Sequence, residues 1–448
     1  MAIQQEVSQE VTRMLGVVFG ALRKTGHVDL EAVEMLVRGS MHQAGAASLS
    51  HLLSLPVARS ATVPCACGQA ARYHDTRPKQ CLTVLGRVRL DRAYYVCPDC
   101  HQGQAPRDAE LDVLGTEYSP GVRRMMAAVG SDSSFDRGRE QMELLAGLEV
   151  TTKAVERQSE AIGADIAGCE LAKVNRTVQL ELPGILGSGA PVLYIEMDGT
   201  QVPIVRSELE GRAGRIAAQP AHTREVKLGC IFTQTAINKK GRPIRDEAST
   251  TYTGAIETAE LFGRRLYTEA CERGWSRAKK KVVLGDGAEW IWNIADQHFV
   301  GAIQIVDIWH AREHIWDLAG KLFSSDDKQR KNWAKKLIKK LNAGKVEIVM
   351  EQLRTFPTRK PALREILRTE AGYFERNKER MRYPKFRKQG LFYGSGVIEA
   401  GCKTVIGSRL KQSGMFWTVR GANAITALRC CRLSRKFEDY WASRSRAA

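Results

Sequence analysis

Two Asp-Gly steps carry the chemistry this sequence offers most directly. Asp198-Gly199 follows an apolar run of Val192, Leu193, Ile195 and Met197, and Asp286-Gly287 follows Val282-Val283-Leu284-Gly285. Such runs read as mostly buried strands, and glycine lets the backbone turn after each aspartate. A carboxylate at the end of a buried strand costs free energy unless something pairs with it. Taken alone, Asp198 reads most economically as a turn cap; two such strand ends in one chain point to a pair. Adjacent carboxylates repel each other unless a cation lies between them. Mg²⁺ suits that place because it prefers oxygen ligands and takes few of them from protein. A third carboxylate is then expected nearby, from Glu289, Asp296, Asp307, Glu313 or Glu399.

A second set is made of cysteines. Cys65-x-Cys67 and Cys97-x-x-Cys100 are separated by 29 residues, and residues 81–96 alternate β-branched and polar residues around Leu85-Gly86. That pattern reads as a β-hairpin. Two thiolate pairs joined by a hairpin suit tetrahedral zinc, with Cys81, His74 and His101 as substitute ligands. A closed four-thiolate site has no open position for catalysis, so the ribbon is expected to be structural or DNA-contacting. Eleven cysteines in 448 residues do not form a disulfide-scaffold pattern.

The elements that must position these groups follow from periodicity. The central segment alternates expected strands at 192–198, 201–205, 226–235, 281–287 and 303–308 with helices at 253–273, 288–299 and from His310 onward. A polar, Arg-rich segment, 206–225, interrupts them, and 184–191 reads as a linker. Residues 397–406 read as a helix, with Ser395 as a cap, Glu399 in its first turn and Lys403 one turn later on the same face. Upstream, residues 5–24 and a stretch opening at Asp29 read as a helical pair. Ser119-Pro120 starts another helix. Residues 135–163 have the layout of a helix-turn-helix. Met142, Leu144 and Leu145 lie on its first helix, and Gly147 makes the turn. Leu148 and Val150 pack beneath, and Thr151 or Thr152 caps a second helix carrying Lys153, Arg157 and Gln158. Such a helix could enter a DNA major groove or simply complete a helical hairpin.

Charge supplies the partner class. Lys and Arg number 68 against 50 Asp and Glu, an excess of 18. Residues 310–390 alone hold 22 basic and 10 acidic residues, two thirds of that excess. The stretch 328–341 places Trp333, Leu337 and Leu341 on one side and Lys335, Lys336, Lys339 and Lys340 on the others, a surface suited to phosphates. Lys403, Arg409 and Lys411 add positive charge after Glu399. Met415-Phe416-Trp417 could stack on bases or merely pack. No stretch of membrane-spanning length and no secretory signal is present, which leads us to expect a cytoplasmic protein with no membrane partner.

Strand–Asp-Gly-Thr, strand–Gly-Asp-Gly, a basic helical insertion, then Gly-Ser-Gly-x-x-Glu on a helix is an order that resembles the DDE transposases of bacterial insertion sequences. Within them it is similar to the ISKra group, related to Mutator-like transposases. The resemblance covers about residues 60–435. It implies a ribonuclease H-like α/β core with a mixed sheet and flanking helices at 190–310 and 391–435, and a basic helical insertion at 311–390. Before the core it implies N-terminal helices at 1–60, a zinc-ribbon-like domain at 61–112 and a helical DNA-binding domain at 113–183; a basic tail, 436–448, follows. It further implies the triad Asp198, Asp286 and Glu399. Asp307-Ile308-Trp309-His310 looks like the D-x-x-H signature of several such families, with His310 at the site. The implied cofactors are two Mg²⁺ or Mn²⁺ ions, with structural zinc on Cys65, Cys67, Cys97 and Cys100. Two ions would activate the attacking oxygen and stabilise the leaving one. The implied partners are double-stranded DNA, as element ends and target, and a second copy of the chain in a dimer or larger assembly in the bacterial nucleoid. Two alternatives use other features. A non-catalytic DNA-binding regulator would use the ribbon and helix-turn-helix alone. A zinc peptidase would use His310-Ala-Arg-Glu313-His314, which matches H-x-x-E-H.

Overall fold

The computed structural model describes residues 29–55, 59–178, 189–212, 214 and 221–447, with isolated positions between 5 and 19. Much of the helix expected over 5–24, most of the 184–191 linker and part of the Arg-rich segment lie outside the described residues. The chain divides into two compact units, Met1–Ile162 with Glu438–Ala448, and Gly163–Phe437.

In the first unit α1 (Leu30–Ser54) starts at Asp29, whose carboxylate accepts from the Ala32 N–H. An antiparallel four-stranded sheet follows in the order β1 (Thr62–Pro64), β2 (Ala70–Thr83), β3 (Gly86–Val96), β4 (Gly103–Gln104). β2 and β3 form the expected hairpin, closing at Thr83 opposite Gly86. Then come α2 (Pro120–Asp132), capped by Ser119, and α3 (Phe135–Gln141), which runs into a π-helical turn at Met142–Ala146. Gly147 takes the left-handed conformation at φ 65°, and α4 (Thr152–Val178) begins after Thr151, whose hydroxyl accepts from the Ala154 N–H. Leu82, Val122, Met126, Met142, Leu148 and Val155 form one apolar cluster. The widened π turn swings Leu144 and Leu145 outward, to 69% and 71% exposed, so only Met142 of the three leucine or methionine positions faces the core.

The second unit is built on a five-stranded mixed sheet: β5 (Val192–Pro203), β6 (Thr223–Gln234), β7 (Thr251–Ala255), β8 (Lys280–Gly285) and β9 (Ile303–Val306). Its order is β9-β8-β5-β6-β7, with β5, β8 and β9 parallel and β6 antiparallel to both neighbours. Helices α5 (Ala259–Glu272) and α6 (Glu289–His298) flank it. This arrangement is consistent with a ribonuclease H-like core. Both faces of β5 are covered: Leu193, Ile195 and Met197 are buried on one, Tyr194 and Glu196 on the other. After β9 come α7 (Ile308–Leu322), α8 (Asp327–Asn342), α9 (Val346–Arg354) and α10 (Pro361–Arg376), then α11 (Gly396–Gly401) and α12 (Val419–Leu433).

Three expectations change. β5 does not stop at Asp198; it continues through Gly199, which pairs with Lys227. Glycine is used there for room, since a Cβ would lie 2.5 Å from Glu225 Oε1. The helix expected from Thr253 begins only after Thr258, because Thr251–Ala255 pairs with β6 as an edge strand. Finally, β9 ends at Val306 and Asp307 caps α7, accepting from the Trp309 N–H at 2.8 Å.

Candidate active site

Strand register sets three aspartates side by side. Leu284 of β8 stands opposite Glu196 of β5, and Gly285 opposite Val306 of β9. Carried forward, those pairings put Asp286 level with Asp198 on one side and with Asp307 on the other. The Asp307 N–H donates to Gly285 O at 2.7 Å, fastening the row. Asp286 and Asp307 follow the C-terminal ends of β8 and β9, where open α/β sheets place their ligands, while Asp198 lies within the longer β5.

Local bonds orient each member. Asp198 Oδ1 accepts from the Gly199 N–H at 2.7 Å, and its Oδ2 from the Cys402 thiol at 3.6 Å. Asp286 Oδ1 accepts from the Ala288 N–H at 2.8 Å across Gly287, whose φ is 100°. Asp307 is fully buried and accepts from Trp309 N–H and the Ser395 hydroxyl. Ser395 sits at the N-cap position of α11 but does not make the side-chain cap expected of it; its buried hydroxyl is turned to donate to the Asp307 carboxylate.

Glu399 rides on α11, which the strands hold directly. The Ile398 N–H, one residue before it, donates to Glu196 Oε2 at 2.9 Å. With the Ser395 and Cys402 bonds, this ties 395–402 to Asp307, Glu196 and Asp198. Asp307, His310 and Glu399 offer ligand atoms within 4.8 Å of one another. Among the described residues, Asp198 and Asp286 do not join Glu399 in a cluster of that tightness. Of the other carboxylates considered, Glu289 and Asp296 are exposed on α6, and Glu313 lies 3.2 Å from His310 Nδ1 with most of its side chain exposed.

The electrostatics favour a cation. Burial raises the Asp198 carboxyl above its ordinary range; the Gly199 N–H opposes this, and the neighbouring Asp286 charge adds to it. Glu196 is pushed up to about 8, first by burial and then, against the Ile398 N–H, by Asp307. Its Oε1 is buried without a hydrogen-bond partner. Carboxylate oxygens with one imidazole, as Asp307, His310 and Glu399 offer them, make a donor set that could hold a divalent metal ion.

Sequence reading missed several of these partners. Glu196 had a signal, a carboxylate inside an apolar strand. Tyr373 of α10 had none: its hydroxyl donates to the Asp286 carbonyl at 3.1 Å, and its ring fills the space where a Cβ on Gly287 would lie 2.7 Å away. His314 stacks on Tyr373 at 3.9 Å and bonds Glu370 at 2.8 Å. The H-x-x-E-H histidines thus turn to different partners and share no metal cluster among the described residues.

The basic residues divide. Lys335, Lys336, Lys339, Lys403 and Lys411 are exposed and Lys340 half-buried. Lys153 and Arg157 are exposed on α4, with Lys153 paired to Glu156 at 2.8 Å. Arg409 corrects an expectation: it is fully buried, 5.0 Å from the Trp417 ring, so it packs the core and presents nothing to DNA. Trp417 is buried too, leaving Phe416 exposed.

In the first unit the sulfurs of Cys65, Cys67, Cys97 and Cys100 all lie within 4.8 Å of one another, with 3.5 Å between Cys65 and Cys100. Zinc–sulfur bonds of about 2.3 Å imply tetrahedral edges of about 3.8 Å, so four thiolates here could hold zinc. Backbone N–H groups of Cys100 and Asp99 lower the Cys97 thiol to about 7, favouring the ligating form. Cys81 sits in an apolar cluster with Val88 and Leu90, and His74 and His101 are not part of the sulfur group.

No family model and no curated protein matches the chain. Among solved structures it is similar to the Drosophila P element transposase strand transfer complex, at 8% identity and a TM-score of 0.25, over 75% of this chain and 84% of that one. So faint a likeness adds nothing to the geometry.

Proposed function

We propose that the chain is a DDE transposase of the insertion-sequence type, cutting and joining DNA at a site made by Asp198, Asp286 and Glu399. One observation carries this reading: Asp286 directly follows β8, β8 pairs in parallel with the strand that carries Asp198, and the helix of Glu399 is hydrogen-bonded to that same strand. In this reading the three carboxylates hold divalent metal. Bound Mg²⁺ would supply activation of an attacking oxygen and charge relief on the leaving oxygen of a phosphodiester. The chain's own groups do the rest. His310 meets the scissile phosphate, with Glu313 3.2 Å from its Nδ1, and Tyr373 fixes the Asp286 turn. The lysines of α8 and α4, with Lys403 and Lys411, hold duplex backbone. The four-cysteine ribbon binds zinc and shapes the DNA-binding unit, and a second copy of the chain, in a dimer or larger assembly, holds the second of the two ends to be joined. No described helix is long and apolar enough to cross a membrane.

The test uses duplex carrying the DNA that flanks the coding region. The protein should nick it with Mg²⁺ or Mn²⁺, and Asp198→Asn should bind that DNA but cut it at least about 100-fold more slowly, the scale of losing an electrostatic group at a reacting centre. Cleavage by Asp198→Asn at the wild-type rate would remove Asp198 from the site.

A further inference from the structure

We infer that Trp309 is a stacking platform for an unpaired nucleobase, so that the site takes DNA with a single-stranded or unstacked end. The inference rests on the transposase reading. Trp309 is 58% exposed, unusual for the largest apolar side chain. It is nevertheless held. Its backbone lies in the first turn of α7 beside the Asp307 cap, and its indole Nε1 edge abuts Gly394, where a Cβ would lie 3.1 Å away. Arg312 covers one ring face, its Cζ 4.5 Å from the centroid. Arg312 is itself fixed, donating from Nε and Nη2 to Asn342 Oδ1 at 3.2 and 2.9 Å. A guanidinium thus backs one face of an exposed indole.

The stripe continues. Trp316, 37% exposed, lies seven residues along the same helix, on the face of Trp309 and Arg312. It borders an open hollow of about 470 Å³ lined by Asp317, Gly320, Lys321 and Arg330. Aromatic rings alternating with cations suit single-stranded nucleic acid, because every base has a π face and every linkage a negative charge. The stripe begins one residue before His310, so a base stacked on Trp309 would hang from a phosphate near the acidic cluster. The excess of basic over acidic residues in 310–390 suits a polyanionic occupant and disfavours a basic or apolar protein surface.

The test measures binding to two probes, a blunt duplex and the same duplex with a short unpaired end carrying 2-aminopurine. Trp309→Ala should weaken the unpaired-end probe roughly 5- to 150-fold, the range for losing one base–aromatic stack. Blunt duplex should change less than about twofold, and Trp309→Phe should keep most of the affinity. 2-Aminopurine fluorescence should be quenched by the wild type and Trp309→Phe but not by Trp309→Ala. Thermal melting of both variants checks the fold. Equal affinity of wild type and Trp309→Ala for the unpaired end, or equal weakening on both probes, would overturn the inference and leave the proposed function standing. Failure of the wild type to bind either probe would overturn both.

Discussion

Glu196 and Asp198 alternate onto the same face of β5, yet they have different tasks. Asp198 is half-exposed and faces the site, whereas Glu196 is fully buried and spends one oxygen on the Ile398 N–H. A carboxyl raised from 4.5 to about 8 binds its proton more tightly folded than unfolded. The metal-free protein should therefore lose stability as pH rises from about 4.5 through about 8, by at most about 1.4 kcal/mol per unit from this group. Glu196→Gln keeps an acceptor for Ile398 and cannot ionise. Urea melts with a chelator should show the variant gaining on the wild type between pH 5 and pH 8.5. A constant difference across that range would mean that Glu196 is not the group responsible.

At the scale of elements, the insertion does more than carry charge. α10 places Tyr373 against the Asp286 turn and α7 stacks His314 on the same ring, so the helices of the insertion brace a strand end of the core. Tyr373→Phe keeps the stack and loses one hydrogen bond, a cost of about 1 kcal/mol. Calorimetric Mn²⁺ titration should show weaker binding as the turn loosens. Gly287→Ala meets both a φ of 100° and the Tyr373 ring, and should cost more than about 2 kcal/mol in chemical denaturation. The strands and the Asp286 turn were legible in the sequence because β8 and β9 are parallel strands whose ends, Val282–Leu284 and Ile305–Val306, are short buried apolar runs. The edge strand β7 was not, since its Thr-Tyr-Thr-Gly-Ala stretch abuts a strong helix pattern. Nor was the continuity of β5 legible, because glycine there admits Glu225 and makes no turn. Arg409 was read as surface charge since nothing local says that Trp417 and Met415 will close over it.

The whole molecule combines a cysteine ribbon with helices in one unit and the acidic row in the other. The cysteine set was legible from spacing alone, and its sulfurs converge; the acidic set was legible in residue type but not in grouping. Periodicity could find Asp198, Asp286 and Glu399, yet could not say that Glu399 would sit tightest against Asp307 and His310. For the ribbon, Cys97→Ser should lose one zinc equivalent by chromogenic assay. It should also speed hydrogen exchange across 62–104, since thiolate sites of this kind contribute folding energy. Unchanged exchange with zinc removed would mean that the hairpin stands without metal. For the acidic row, the decisive measurement is Mn²⁺ affinity in single variants, without DNA. Asp198→Asn, Asp286→Asn and Glu399→Gln should each weaken Mn²⁺ at least about tenfold, a loss of about 1.4 kcal/mol, while His310→Ala changes it little. Full Mn²⁺ affinity in Asp198→Asn and Asp286→Asn, with loss in His310→Ala, would put the ion in the Asp307–His310–Glu399 cluster and contradict the triad.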